Sequence, residues 1–202
     1  VPPVASTGGS RERLVAATEL PLVYLAFANA EEAHLSLLKQ ESREVFRALQ
    51  PLQEFGKIDV HREESSELNE LYEDLLTHGD RLVIFHYGGH ANGQMLALEG
   101  GGGSSVGLAR LLGQQNSLKL VFLNGCATEG HVALLLDAGV PAVIATSVPI
   151  GDQKAQEFSS AFYSALAEGR SVPQAFESSR GFVEGKYGVG GGAGLKFTRA
   201  VN

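Results

Sequence analysis

The chain has 202 residues, 44% of them apolar and 19% charged, with a formal net charge of −7 and a single cysteine. That length supports one substantial core, and an acidic balance without any Lys/Arg run argues against nucleic-acid binding, which needs basic surface to displace phosphate counterions. No apolar run reaches the roughly 18–20 residues of a membrane helix, and one cysteine cannot close an internal disulfide, which fits a reducing cytoplasm. The opening VPPVASTGGS lacks the charged, apolar, cleavable layout of a secretory signal. The only methionine is Met95, so the chain is expected to be a processed form or an excised domain of something longer.

Residues 1–19 form a polar lead-in, 20–183 the expected folded domain, and 184–202 a glycine-rich tail or linker with a last strand predicted at Leu195–Thr198. Leu20–Ala28 (LPLVYLAFA) is a near-continuous apolar run, as in a strand covered on both faces. Asn29 sits where a helix N-cap belongs, and Leu35, Leu38, Val45, Leu49 and Leu52 repeat at helical spacing, with Pro51 near the helix end. Lys57–His61 is a short strand, and Ser66–His78 an amphipathic helix closed by Gly79. Arg81–Tyr87 is a third strand and runs into FHYGGHANG. Gln94–Glu99 is a short strand, and the four glycines Gly100–Gly103 are expected to be a mobile loop tip. Gly107–Gln115 is helical. Leu118–Leu123 is a strand that runs into NGCATEG. Val132–Ala138 is a helix, Ala142–Thr146 a fifth strand, and Asp152–Ala167 and Val172–Val183 are helices, the last opened by Pro173.

Strand and helix alternate about five times, which predicts an α/β domain with a mainly parallel sheet and helices on both faces. Such sheets carry their functional groups in loops at the carboxyl ends of strands. Two loops stand out: one holds His90 and the other Cys126. A cysteine and a histidine on neighbouring strand ends would make a nucleophile and its base. Each also has a plainer reading, Cys126 as a small buried apolar residue and His90 as a solvated loop imidazole. His86 lies within the strand and is expected to be packed or bonded there. Metal binding by His86 with His90, or by Cys126 with His131, lacks the ligand count and spacing of a metal site. No phosphate-binding glycine loop, dinucleotide fingerprint or nucleophile elbow is present, so no cofactor is expected.

The segments IFHYGGHANG, VFLNGCATEG and AGVPAVIATSVPIGDQKAQEFSSAFYSALAEGRSVPQAFESSR together resemble a CHAT domain, a caspase-like module of the clan that also holds caspases, separases and gingipains. The resemblance runs from about Leu20 to Phe182. It implies a caspase–haemoglobinase three-layer α/β sandwich and a cysteine endopeptidase acting on a protein substrate in bacterial signalling, immunity or programmed cell death. Cys126 matches the nucleophile and His90 the histidine of a dyad. Ala91 stands where caspases usually have glycine, and its backbone N–H, with that of Cys126, would hold the oxyanion. Substrate-pocket residues would come from the stretch Thr146–Asp152, pointing to Ser147, Val148 and Asp152, with an extended substrate pairing at the sheet edge near Ser147. Asp152 also fits an acid placed at a helix N-terminus; if it faces the first specificity pocket instead, it favours Arg or Lys at the cleaved position. The resemblance implies further domains or a regulatory partner, and no metal, nucleic acid or membrane. Two alternatives stand beside it: a caspase-like interaction module without proteolysis, and a flavodoxin-like small-molecule binder.

Overall fold

The computed structural model describes residues 19–29, 35–92, 94–125, 128–147, 151–192 and 194–200. In chain order the elements are β1 (Leu22–Ala28), α1 (Leu38–Glu54), β2 (Asp59–Glu63), α2 (Leu68–His78), β3 (Leu82–Gly89), β4 (Met95–Leu98), β5 (Gly101–Ser104), α3 (Ser105–Gly113), β6 (Leu120–Asn124), α4 (Gly130–Asp137), β7 (Ala142–Thr146), α5 (Asp152–Ala167), α6 (Val172–Tyr187) and β8 (Leu195–Arg199). Six strands pair in the order β2-β1-β3-β6-β7-β8, all parallel except β8. This is the α/β architecture that the alternation predicts, and it makes β3 and β6 direct neighbours.

Alternation along each strand sorts the core into two layers. Val23, Leu25 and Phe27 of β1 and Phe122 of β6 face α1, α5 and α6, where Phe158, Phe162, Tyr163 and Phe176 pack edge-on or stacked around them. Tyr24 and Ala26 of β1, Tyr87 of β3 and Leu123 of β6 face the opposite layer, built on Leu71, Leu75, Leu108, Leu112 and Leu135 of α2, α3 and α4. Phe122 is fully buried, and trimming such a ring to alanine costs about 3–5 kcal/mol.

Four local expectations change. Asn29 does not cap α1, which starts at Leu38; its side chain instead bonds both the N–H and the carbonyl of Leu35. The glycine run is not a loose tip: Gly101–Ser104 is β5, paired antiparallel with β4. Glycine has no side chain to signal strand periodicity, so the pairing had no local signature. Helix α6 continues to Tyr187, past the predicted end at Val183. Finally, β8 lies beside β7, with Thr146 opposite Leu195, and the Ser147 N–H donates to the Gly194 carbonyl at 2.7 Å. The edge at which an extended substrate was expected to pair through Ser147 is therefore filled by the chain's own last strand.

Candidate active site

The two loops sit at the carboxyl end of the sheet because β3 and β6 run parallel in register, Gly88 opposite Asn124. Cys126 and Val148 lie outside the described residues. Gly125 before it and Thr128 beyond it are described, and both are tightly braced. Gly125 fits against the His90 loop with no room for a side chain: a Cβ there would stand 2.7 Å from the Gly89 carbonyl oxygen and 3.2 Å from the Ala91 methyl. The hydroxyl of Thr146 donates to the Gly125 carbonyl. Beyond Cys126, the fully buried Thr128 donates its hydroxyl to the Leu123 carbonyl at 3.2 Å and accepts the Thr146 N–H at 2.8 Å. Short polar side chains thus replace ladder hydrogen bonds where the strand turns away. Sequence reasoning missed Thr128 and Thr146; threonines flanking a turn are too common to single out.

His90 is half-buried at the opposite loop. Its carbonyl accepts the Ala97 N–H at 2.9 Å and lies 2.6 Å from the Tyr87 hydroxyl, which is equally close to the Ala97 carbonyl. Burial drives the Tyr87 pKa well above the ordinary phenol value, so its proton stays on as a donor. Gly89, at φ +158°, has the Ala28 carbonyl and the Tyr87 hydroxyl 2.5 and 2.6 Å from where a Cβ would be, so only glycine lets this turn close over the tyrosine. One residue past Ala91, the Asn92 side chain accepts the N–H groups of Gln94 and Met95 at 2.9 Å, an Asx turn. The Asn92 carbonyl accepts Nε2–H from the buried His131 of α4 at 2.6 Å. Burial lowers the His131 pKa, and the bond to Asn92 opposes that shift. His131 therefore holds the loop from behind.

His86 is fully buried, as expected, boxed by the rings of Phe27, Phe122 and Tyr163. Its Nε2 lies 3.2 Å from Oε1 of Glu41 on α1, although neither ring nitrogen has a well-aligned hydrogen bond among the described residues. The two histidines of the third-strand loop thus have separate environments, one inside the sheet and one at its rim.

Two clefts meet at His90. One is a small cleft of about 50 Å³ lined by His90, Gly125, Asn124 and Asp152, with Leu38 and Glu41 of α1 beneath. The other, about 260 Å³, runs from His90 and Ala91 over Met95, Ala97 and Gly102 of the β4–β5 hairpin. Asp152 is the first residue of α5, and its Oδ2 accepts the Leu37 N–H at 3.2 Å. It therefore both opens a helix and borders the cleft. Ser147 is half-buried and turned to β8. No group of three or more His, Cys, Asp or Glu side chains able to hold a metal occurs among the described residues, and no helix among them is long and apolar enough to cross a membrane.

No curated protein matches the chain. Among solved structures, it is similar to RgpB of Porphyromonas gingivalis in the complex of its pro- and mature domains, at 15% identity and a TM-score of 0.59, covering 85% of this chain and 45% of that one. It is also similar to the Arg-specific cysteine proteinase gingipain R (RGPB), at 14% identity and a TM-score of 0.59, covering 87% of this chain and 44% of that one. The chain spans less than half the length of either. At these identities the likeness speaks for a shared caspase-like fold. The CHAT domain family matches residues 4–183, nearly the whole of the chain that builds the sheet, its helices and both rim loops. The chain belongs to the CHAT domain family.

Proposed function

We propose that this domain is a cysteine endopeptidase in which Cys126 is the nucleophile and His90 its base. The observation that carries the reading is the packing of Gly125, the residue before Cys126, directly against Gly89 and Ala91 on either side of His90. The thiolate of Cys126 attacks the peptide carbonyl. His90 first assists its deprotonation, then protonates the leaving amine, and then activates water to release the acyl group. Backbone N–H groups of Ala91 and Cys126 hold the oxyanion, each such donor being worth about 3–4 kcal/mol in mutated enzymes.

The cleft beside His90 takes the side chain at the cleaved position. Asp152 supplies a carboxylate there and Leu35 and Leu38 apolar wall, a lining suited to the aliphatic stem and cationic head of Arg or Lys. The substrate is a protein, cleaved in bacterial signalling or defence, with further domains of a longer polypeptide regulating access. The test is a peptide library spanning all residues at the cleaved position. Wild type cleaves after Arg or Lys, Cys126→Ala loses at least about 10³-fold in kcat/KM, and Asp152→Asn loses selectivity for basic residues. Cleavage that survives Cys126→Ala sinks the reading, and no cleavage by wild type with its natural partner present favours a non-proteolytic module.

A further inference from the structure

The aromatic layer contains a polar cluster that neither the fold nor the proposed chemistry consumes. Glu41 projects from the first turn of α1 and is 3% exposed. Its Oε1 lies between two strands: 3.2 Å from Nε2 of His86 on β3 and 2.6 Å from Nδ2 of Asn124 on β6. These are adjacent strands, and their ends run into His90 and Cys126. Asn124 also donates to the Ala155 carbonyl of α5 at 3.1 Å. Both of its near neighbours are acceptors, which fixes the amide orientation and leaves its buried Oδ1 without a partner among the described residues. Around the same carboxylate, the hydroxyl of the buried Tyr163 on α5 also lacks a partner among the described residues. Its pKa is raised by burial and then by Glu41.

Buried carboxylates are costly and are weak evidence for stability, since apolar replacements of the same shape often hold a core as well or better. A polar cluster that leaves donors and acceptors unmet is worse still as a stabiliser. Its placement gives it a different use. A single carboxylate touches both strands that end in the proposed dyad, two residues before Cys126 and four before His90. Ridges of Leu38 and Val45 press the same helix onto the sheet, so the carboxylate is carried by a rigid element.

We infer that Glu41 is a positioning residue that sets the spacing of the β3 and β6 ends, and through them the alignment of His90 with Cys126, with Asn124 as its contact on β6. This rests on the dyad reading above. The experiment compares Glu41→Ala, Glu41→Gln and Asn124→Ala, with folding at the assay temperature confirmed by circular dichroism and thermal melting. In Glu41→Ala, kcat on the cleaved peptide falls about 30- to 100-fold, the order expected for misaligned reacting groups, while KM stays within about threefold. Glu41→Gln, which keeps the shape and an acceptor for Asn124, recovers most of the loss. Asn124→Ala gives the same split between kcat and KM, and it stands in if Glu41→Ala does not fold. A second readout needs no substrate: Cys126 is the only thiol, so its alkylation by iodoacetamide at pH 7 is followed by mass spectrometry, and the rate falls at least about fivefold in Glu41→Ala and returns in Glu41→Gln. Folded Glu41→Ala with kcat within about twofold of wild type, or with an unchanged alkylation rate, overturns the inference. If wild type cleaves no peptide, the protease reading fails while the alkylation arm still judges the role of Glu41.

Discussion

Asn124 is tied down from the face of the sheet covered by α1, α5 and α6, whereas the chain after His90 is tied down from the face covered by α2, α3 and α4. The first attachment is a carboxylate on a long helix, set among aromatic rings. The second is a phenol and an imidazole that reach backbone carbonyls from a leucine-rich layer. Both carry polar groups into apolar packing, yet they differ in how well those groups are met. The carbonyls of His90, Ala97 and Asn92 all have donors, while His86, Asn124 and Tyr163 keep atoms unmet among the described residues. The leucine layer therefore holds a loop in shape, and the aromatic layer accepts an energetic penalty to fix where two strands end.

The largest expected consequence falls on the aromatic side, where the Glu41→Ala effect on kcat described above leaves the melting temperature little changed. Tyr87→Phe should act on the other side and in the opposite proportion. It removes the donor to the His90 and Ala97 carbonyls and should destabilise the protein by about 1–3 kcal/mol, measured by urea unfolding, with a smaller loss of kcat than Glu41→Ala. If Tyr87→Phe were neutral in stability, the two attachments would not differ as described.

The smallest effect is the pH dependence of His131. Burial holds its pKa below the ordinary value near 6.5. Below that value the unfolded chain takes up a proton that the folded protein resists, so stability falls as pH drops from about 7 towards 5. His131→Asn lacks this term. The gap in melting temperature between wild type and His131→Asn should therefore shrink as pH falls through that window, and a gap that widens would contradict a neutral, buried His131.

Much of this was legible in the chain. The α/β order, the neighbouring strand ends and the different fates of His86 and His90 follow from apolar runs and from the punctuation of FHYGGHANG and NGCATEG. Asp152 was visible as a helix-opening acid, and the structure adds that it borders the cleft. Glu41 was not legible: on a helical wheel it is one more charged residue, and only the crossing of α1 over β3 and β6 buries it. Thr128, Thr146 and Tyr87 were hidden for the same reason, since their partners are backbone carbonyls distant in sequence or across a turn. The glycine strand β5 was misread because strand prediction rests on side-chain alternation, which glycine cannot display. The closure of the β7 edge by β8 was missed because a five-residue strand after a glycine-rich stretch carries little local signal.

We propose that His90 acts on Cys126. This is tested most directly by the rate of Cys126 alkylation with iodoacetamide at pH 7 in wild type and in His90→Ala, both shown to be folded. A base that helps hold the thiolate should make the wild-type thiol at least about tenfold faster. Equal rates in the two proteins would mean that the imidazole and the thiol do not work together.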